Sequence, residues 1–195
     1  MGFDIYGLNP INETNVEKPI FPRDFNKLSD DEKNGYWDSR DAYEEAVPGD
    51  YWRSNVWWWR TLWAYTCEVC ADVMTVTHMD AGSFNNGDKI PKTTAKRMVI
   101  KLKNAEAKGY HKKYEETHQE WMEKLPKDEC NQCHTTGFRT DKIGRDARRK
   151  DPHYTCNGCD GKGYTKNFMA SYPFSSEIAV SFRKFIQQSG GFQIC

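Results

Sequence analysis

From Phe3 to Leu8 apolar and polar residues alternate, and the run ends near Gly7 and Pro10, which is the two-residue period of a short strand. The period then disappears. Residues 9–50 are polar, rich in Asn, Asp and Glu, and carry Pro10, Pro19, Pro22 and Pro48, which predicts a long irregular arm with one helix near Ser29–Tyr36. After the Pro48-Gly49-Asp50 turn, Ser54 or Asn55 can cap a helix reaching about Met74. Val56, Trp59, Trp63, Cys67, Cys70 and Met74 form one stripe on it, and Trp58, Leu62, Tyr65, Val69 and Val73 form another. A helix apolar nearly all round is expected to be buried. Its exceptions are Arg60 and Glu68, and a buried guanidinium needs a partner.

Asn85-Asn86-Gly87-Asp88 is a turn signal, and Pro91 can sit in the first turn of a second helix with Ala95, Val99 and Leu102 on one face. Gly109 should interrupt it, with Tyr110, Tyr114, Trp121 and Leu125 continuing the stripe to Pro126. A last helix is expected over 175–188, capped by Ser175, closed by Gly190-Gly191 and turning Phe182, Phe185 and Ile186 inward. Phe192-Gln193-Ile194-Cys195 can add an edge strand. These elements predict an α+β, mainly helical single domain over 1–195, with the polar arm at about 9–50 and a small insert at 130–163.

Leu, Ile, Val and Phe together number only 32 of 195 residues, a fraction typical of disorder in a strongly charged chain. Here the net charge is zero, and seven Trp and ten Tyr supply the missing apolar area, so the core is expected to be aromatic. The same balance argues against a nonspecific nucleic-acid binder, which needs an excess of cations. No stretch approaches the length of a membrane span, and Met1-Gly2-Phe3-Asp4 lacks the basic and apolar regions of a secretion signal, which together imply a cytoplasmic protein. Charge is uneven along the chain: residues 1–50 hold 12 acids and 5 bases, residues 91–127 hold 10 bases and 5 acids. The acidic segment could therefore lie against the basic helix. The run Gly144–Asp151, basic but broken by acids, is expected to be a solvated loop.

Two C-x2-C pairs carry the clearest chemistry. Cys130-Asn131-Gln132-Cys133 and Cys156-Asn157-Gly158-Cys159 are separated by 22 residues, a span that a hairpin or loop can bridge. The two-residue gap lets both sulfurs of a pair converge on one ion while amides of the turn point at them, and two such turns complete a tetrahedron. Disulfides or buried free thiols are the alternatives, but a cytoplasmic setting and polar neighbours disfavour both. The expected cofactor is one structural zinc on Cys130, Cys133, Cys156 and Cys159, with iron as the competing metal. Cys156-Asn157-Gly158-Cys159-Asp160-Gly161-Lys162-Gly163 resembles the C-x-x-C-x-G-x-G repeat of the DnaJ chaperones' cysteine-rich region. That resemblance covers 130–163 only and implies a zinc knuckle. The first repeat keeps just its last glycine, Gly137, there are two repeats rather than four, and no His-Pro-Asp tripeptide is present, so chaperone function does not carry over. A third pair, Cys67 and Cys70, falls on the apolar helix and is expected to be core.

His111, Glu115 and His118 would share a helical face and could hold a catalytic metal, but their charged neighbours make an ordinary solvated face the preferred expectation. Tyr51–Arg60 interleaves aromatic and basic residues. Arg53, Trp57, Trp58 and Arg60 are its candidates for gripping an anionic, nucleotide-like ligand, against the alternative that the rings are core. Taken together, Gly2–Pro10, Asn55–Arg60, the second cysteine repeat and Ser189–Cys195 look like a family of small phage and bacterial proteins of uncharacterised activity. The resemblance implies a phage or bacterial cytoplasmic setting. The resulting expectation is a non-catalytic, zinc-containing accessory protein that binds a host protein or sequesters a nucleotide-like ligand. The alternatives are a nucleic-acid-binding regulator using the zinc knuckle and the basic run, and a metal-dependent enzyme at His111 and His118.

Overall fold

The computed structural model describes residues 2–195 and divides them into two compact units, one formed by residues 2–115 with 174–195 and the other by 116–173. In the first unit, the opening alternation becomes β1 (Gly2–Gly7), antiparallel to β2 (Tyr51–Asn55) with Gly2 opposite Asn55 and Tyr6 opposite Tyr51. On its other side β1 pairs with β6 (Phe192–Ile194), which pairs in turn with β3 (Asp88–Ile90). The order β2-β1-β6-β3 makes β6 an interior strand, not the expected edge. Phe192 and Ile194 are both fully buried, and a strand hydrogen-bonded on both sides leaves no backbone group to water.

Asn55 stops β2 and starts α2 (Val56–Val69), its Oδ1 accepting the N–H groups of Trp57 and Trp58 at 3.0 and 3.1 Å. Trp59 lies at the centre of the core, stacked between Phe3 at 5.1 Å and Trp63 at 5.2 Å with Phe182 edge-on at 5.5 Å. The indoles of Trp59 and Trp63 donate to the carbonyls of Gly82 and Met79, each at 2.7 Å, so these large rings bury no unpaired donor. The core is aromatic as the composition implies. The helix ends with Cys70 as its C-cap, short of Met74, and a capping box between Thr75 and His78 opens the unforeseen α3 (Val76–Ala81).

α4 (Lys92–Ala107) and α5 (Tyr110–Lys124) are separated at Gly109, whose φ of +70° breaks the helix where expected. α7 (Ser176–Ser189) begins with the Ser175 hydroxyl accepting from Ile178 N–H and ends at Gly190, φ +64°. There a Cβ would stand 2.0 Å from the Asn9 carbonyl, so both the turn and the close approach require glycine.

The arm is not irregular throughout. Ser29 and Glu32 form a reciprocal capping box that launches α1 (Asp30–Ala46), seventeen residues long and much longer than the expected Ser29–Tyr36 helix. Its first turn is all acidic, which suits a helix N-terminus, and only Tyr43 is buried. α1 makes no extended contact with α4 among the described residues, although Asn9 and Ile11 of the N-terminal segment border one cavity with Lys92 and Lys96 of α4. Its ion pairs are local, such as Arg40–Glu44 at 2.7 Å.

The second unit holds the end of α5, the short ladder of β4 (Asp128–Glu129) with β5 (Tyr164–Thr165), and α6 (Lys142–Lys150). The basic run read as a loop is therefore helical, started by the Asp141 carboxylate accepting from Gly144 N–H at 2.9 Å. The protein is α+β and mainly helical. Among the described residues no helix is long and apolar enough to cross a membrane.

Candidate metal centre

Within the second unit, two turns bring Cys130, Cys133, Cys156 and Cys159 together with all four sulfurs inside 4.8 Å of one another. Cys130 Sγ lies 3.7 Å from Cys156 Sγ, and Cys133 Sγ lies 3.6 Å from Cys159 Sγ. A tetrahedron with metal–sulfur bonds of about 2.3 Å has edges of about 3.8 Å, so these separations are those of four thiolates around one ion. A disulfide would need sulfurs about 2 Å apart. All four residues are buried, and Cys159 Sγ also accepts the Gly163 N–H at 3.2 Å.

The turns are two copies of one backbone, 26 positions apart. Cys130 N–H donates to the Gly163 carbonyl at 3.0 Å, and Cys156 N–H donates to the Gly137 carbonyl at 2.8 Å. A Cβ on Gly137 would stand 2.5 Å from the Gly161 carbonyl oxygen, while one on Gly163 would stand 2.4 Å from that of Thr135. Positive φ values recur in step: 47°, 72° and 74° at His134, Thr135 and Gly137, then 49°, 75° and 80° at Asp160, Gly161 and Gly163. The pair is thus related by an approximate two-fold. The missing glycine of the first repeat is Thr135, which takes the left-handed conformation despite its branched side chain.

The sulfurs differ in acidity. Backbone N–H groups of Gln132 and Cys133 aimed at Cys130 bring its thiol down to about 7, whereas burial pushes Cys133 up to about 12 and raises Cys156 as well. Four crowded sulfurs resist sharing negative charge, and a bound dication removes that conflict by deprotonating its ligands. The donor set fits a metal ion.

The other sequence candidates are placed as follows. Cys70 is fully buried and Cys67 partly so, and burial raises their thiols to about 12 and about 11, as expected of core residues. Arg53 is exposed on β2 with Nε 3.4 Å from Asp4 Oδ1. Trp57 is exposed and Trp58 half-buried, so the run of three tryptophans divides, with Trp59 alone at the centre of the core. Arg60 is not the buried guanidinium that the apolar pattern implies. It is exposed, donates to the Ser83 carbonyl at 2.9 Å and stacks over Phe3 at 5.6 Å. Trp57, Arg60, Ala64 and Glu68 form a narrow solvent stripe on α2, disguised in sequence because two of its members are apolar. Glu68 accepts from the Tyr110 hydroxyl. The two histidines of the α5 set also depart from a simple solvated face. His111 in the first unit is buried, with no partner for Nδ1, while His118 in the second pairs its Nε2 with the Tyr172 carbonyl at 2.7 Å.

Residues 58–154, slightly less than half of the chain, match the model of the Brefeldin A-sensitivity protein 4-like domain. The matched stretch contains Cys130 and Cys133 and stops before Cys156, so this similarity does not span the metal centre. No curated protein and no solved structure matches the chain.

Proposed function

We propose that the protein is a non-catalytic binding protein whose second unit is held together by one structural zinc on Cys130, Cys133, Cys156 and Cys159. The observation carrying this reading is the sulfur geometry: four buried thiols within 4.8 Å of one another, with two of the pairs at the edge length of a metal–thiolate tetrahedron. Four sulfur ligands fill the coordination sphere, so no position remains for water or substrate, and the ion organises the chain rather than reacting. The wider role is that of a phage or bacterial accessory protein acting in the cytoplasm, by engaging a host protein or holding an anionic, nucleotide-like ligand. Exposed Trp57 near the half-buried Trp58, with Arg53 and Arg60 at the surface, supports such a contact face.

Elemental analysis of purified protein should give one zinc per chain, and Cys156→Ser should lose it. Metal-free wild type, or a variant with full zinc content, would refute the metal assignment. Native mass spectrometry of protein isolated from its cells reads the partner or ligand. Recovery of bare monomer alone would count against the binding role.

A second reading, a nucleic-acid-binding regulator, draws support from α6, which gathers Arg145, Arg148, Arg149 and Lys150 on one short helix. Several of these charges are already engaged: Arg148 donates to the Arg139 carbonyl at 3.1 Å and Arg149 lies 3.5 Å from Asp146. Weak binding to arbitrary DNA with a shallow salt dependence is therefore expected. Submicromolar affinity lost in Arg148→Ala/Arg149→Ala/Lys150→Ala would reverse the order of the two readings.

A further inference from the structure

Beside α1 in the first unit lies a cavity of about 450 Å³ bordered by the rings of Tyr6, Tyr36, Tyr43 and Tyr51 and by the carboxylate of Asp50. Asp50 is only 8% exposed, an unusual position for an acid unless a cation meets it. That cation is Lys18, whose Nζ stands 2.6 Å from Asp50 Oδ2 and 5.9 Å from the centre of the Tyr43 ring. The other Asp50 oxygen faces the Tyr43 hydroxyl at 3.4 Å. Aromatic faces around a carboxylate are the means by which proteins recognise ammonium groups.

We propose that this cavity is a binding site for a primary alkylammonium group, and that Lys18 is an internal occupant which such a group displaces. Arg40, the second cation bordering the cavity, is firmly committed, with Nε 2.7 Å from Glu44 and its guanidinium against the rings of Trp37 and Tyr51. Lys18 is held more lightly. Its side chain is 60% exposed, and it belongs to a stretch of the arm without helix or strand. The Ile11 N–H is bonded to the Gln188 carbonyl, and Phe21 stacks on Phe25. Between those two points the contact of Lys18 with Asp50 ties this stretch to the turn that precedes β2. The lysine end of this pair is open to water while the carboxylate is not, so Lys18 can swing away and an external cation can compete for the same carboxylate.

The geometry also selects among cations. Asp50 offers one oxygen to the cavity, because the other faces Tyr43. A ligand must therefore donate an N–H to a single acceptor, which favours a primary ammonium over a quaternary one, and over a guanidinium that gains most from two parallel bonds. The lysine side chain of a partner protein and the end of a polyamine both present that group.

The test uses the full zinc-loaded chain and titrates cadaverine, a lysine-containing peptide and choline, read by tyrosine and tryptophan fluorescence and by calorimetry. Lys18→Ala and Lys18→Gln should each bind cadaverine or the peptide at least tenfold more tightly than wild type. Choline should bind weakly, and adding Asp50→Asn should abolish the gain. Preference for the peptide over cadaverine identifies a protein partner as the source, and the reverse preference identifies a free polyamine. Equal, negligible amine binding by wild type and both Lys18 variants would overturn the proposal and leave Lys18 a structural tether. Unfolding of both variants would overturn it too, because an occupant on which the fold depends cannot be displaced.

Discussion

Arg183 on α7 is 9% exposed and grips Glu106 with two nitrogens, Nε at 3.0 Å from one oxygen and Nη2 at 3.3 Å from the other. Removing it takes away a buried guanidinium and leaves the Glu106 carboxylate, 34% exposed, to be hydrated only in part, whereas removing Arg60 gives up one carbonyl contact and one ring face at the surface. Arg183→Ala should therefore cost about 2 kcal/mol, less than for a fully buried pair because water reaches Glu106, and Arg60→Ala about 1 kcal/mol. Urea unfolding followed by tryptophan fluorescence measures both, and the reverse ranking would contradict the burial argument. The sequence contains the signal for Arg183: it lies four residues after Ala179 and three before Ile186, on the inward stripe of α7. Arg60 drew attention instead because exposed apolar neighbours made its surface position look internal, and exposed apolar side chains are common on protein surfaces.

At the scale of elements, the two cysteine turns were legible because metal geometry is local and fixes residue types at fixed spacings. Thr135 was not, since a branched residue at positive φ is tolerated when its surroundings hold it there. That strain makes a prediction. Thr135→Gly should relieve about 1–3 kcal/mol of backbone strain, less the 0.4–1 kcal/mol by which glycine favours the unfolded chain, for a net gain near 1 kcal/mol. Gly161→Ala, at the symmetry-related position, should lose stability, because its Cβ would stand 3.0 Å from Thr155. Denaturant midpoints of the zinc-loaded variants test the pair, and shifts of the same sign would refute the equivalence of the turns. α1 and α6 were harder to foresee. Both are polar helices set by caps and charge rather than by an apolar stripe, so hydrophobic periodicity is nearly silent over them.

The two units differ in what holds them. The first has the Trp59 core, whereas in residues 116–173 the buried hydrophobic side chains besides the four cysteines are Met122 and Ala170. A metal bound by the four cysteines would stand in for a core, so its removal should unfold that unit and spare the other. Hydrogen exchange with mass spectrometry after chelation should show residues 126–165 losing protection while β1, α2 and α7 keep theirs. Uniform loss across the chain would show one cooperative structure. The order of the sheet also bears on how the chain is made. Residues 116–173 are continuous and can assemble as soon as they leave the ribosome, but β1 pairs with β6, whose Ile194 faces Ile5 across the whole length of chain between the two strands. Until β6 is translated, β1 has one hydrogen-bonding edge open and its apolar side chains only partly covered. The growing polypeptide thus carries an adhesive strand for as long as the chain between β1 and β6 is being made, a state in which nascent-chain chaperones, rather than the final packing, guard it against aggregation.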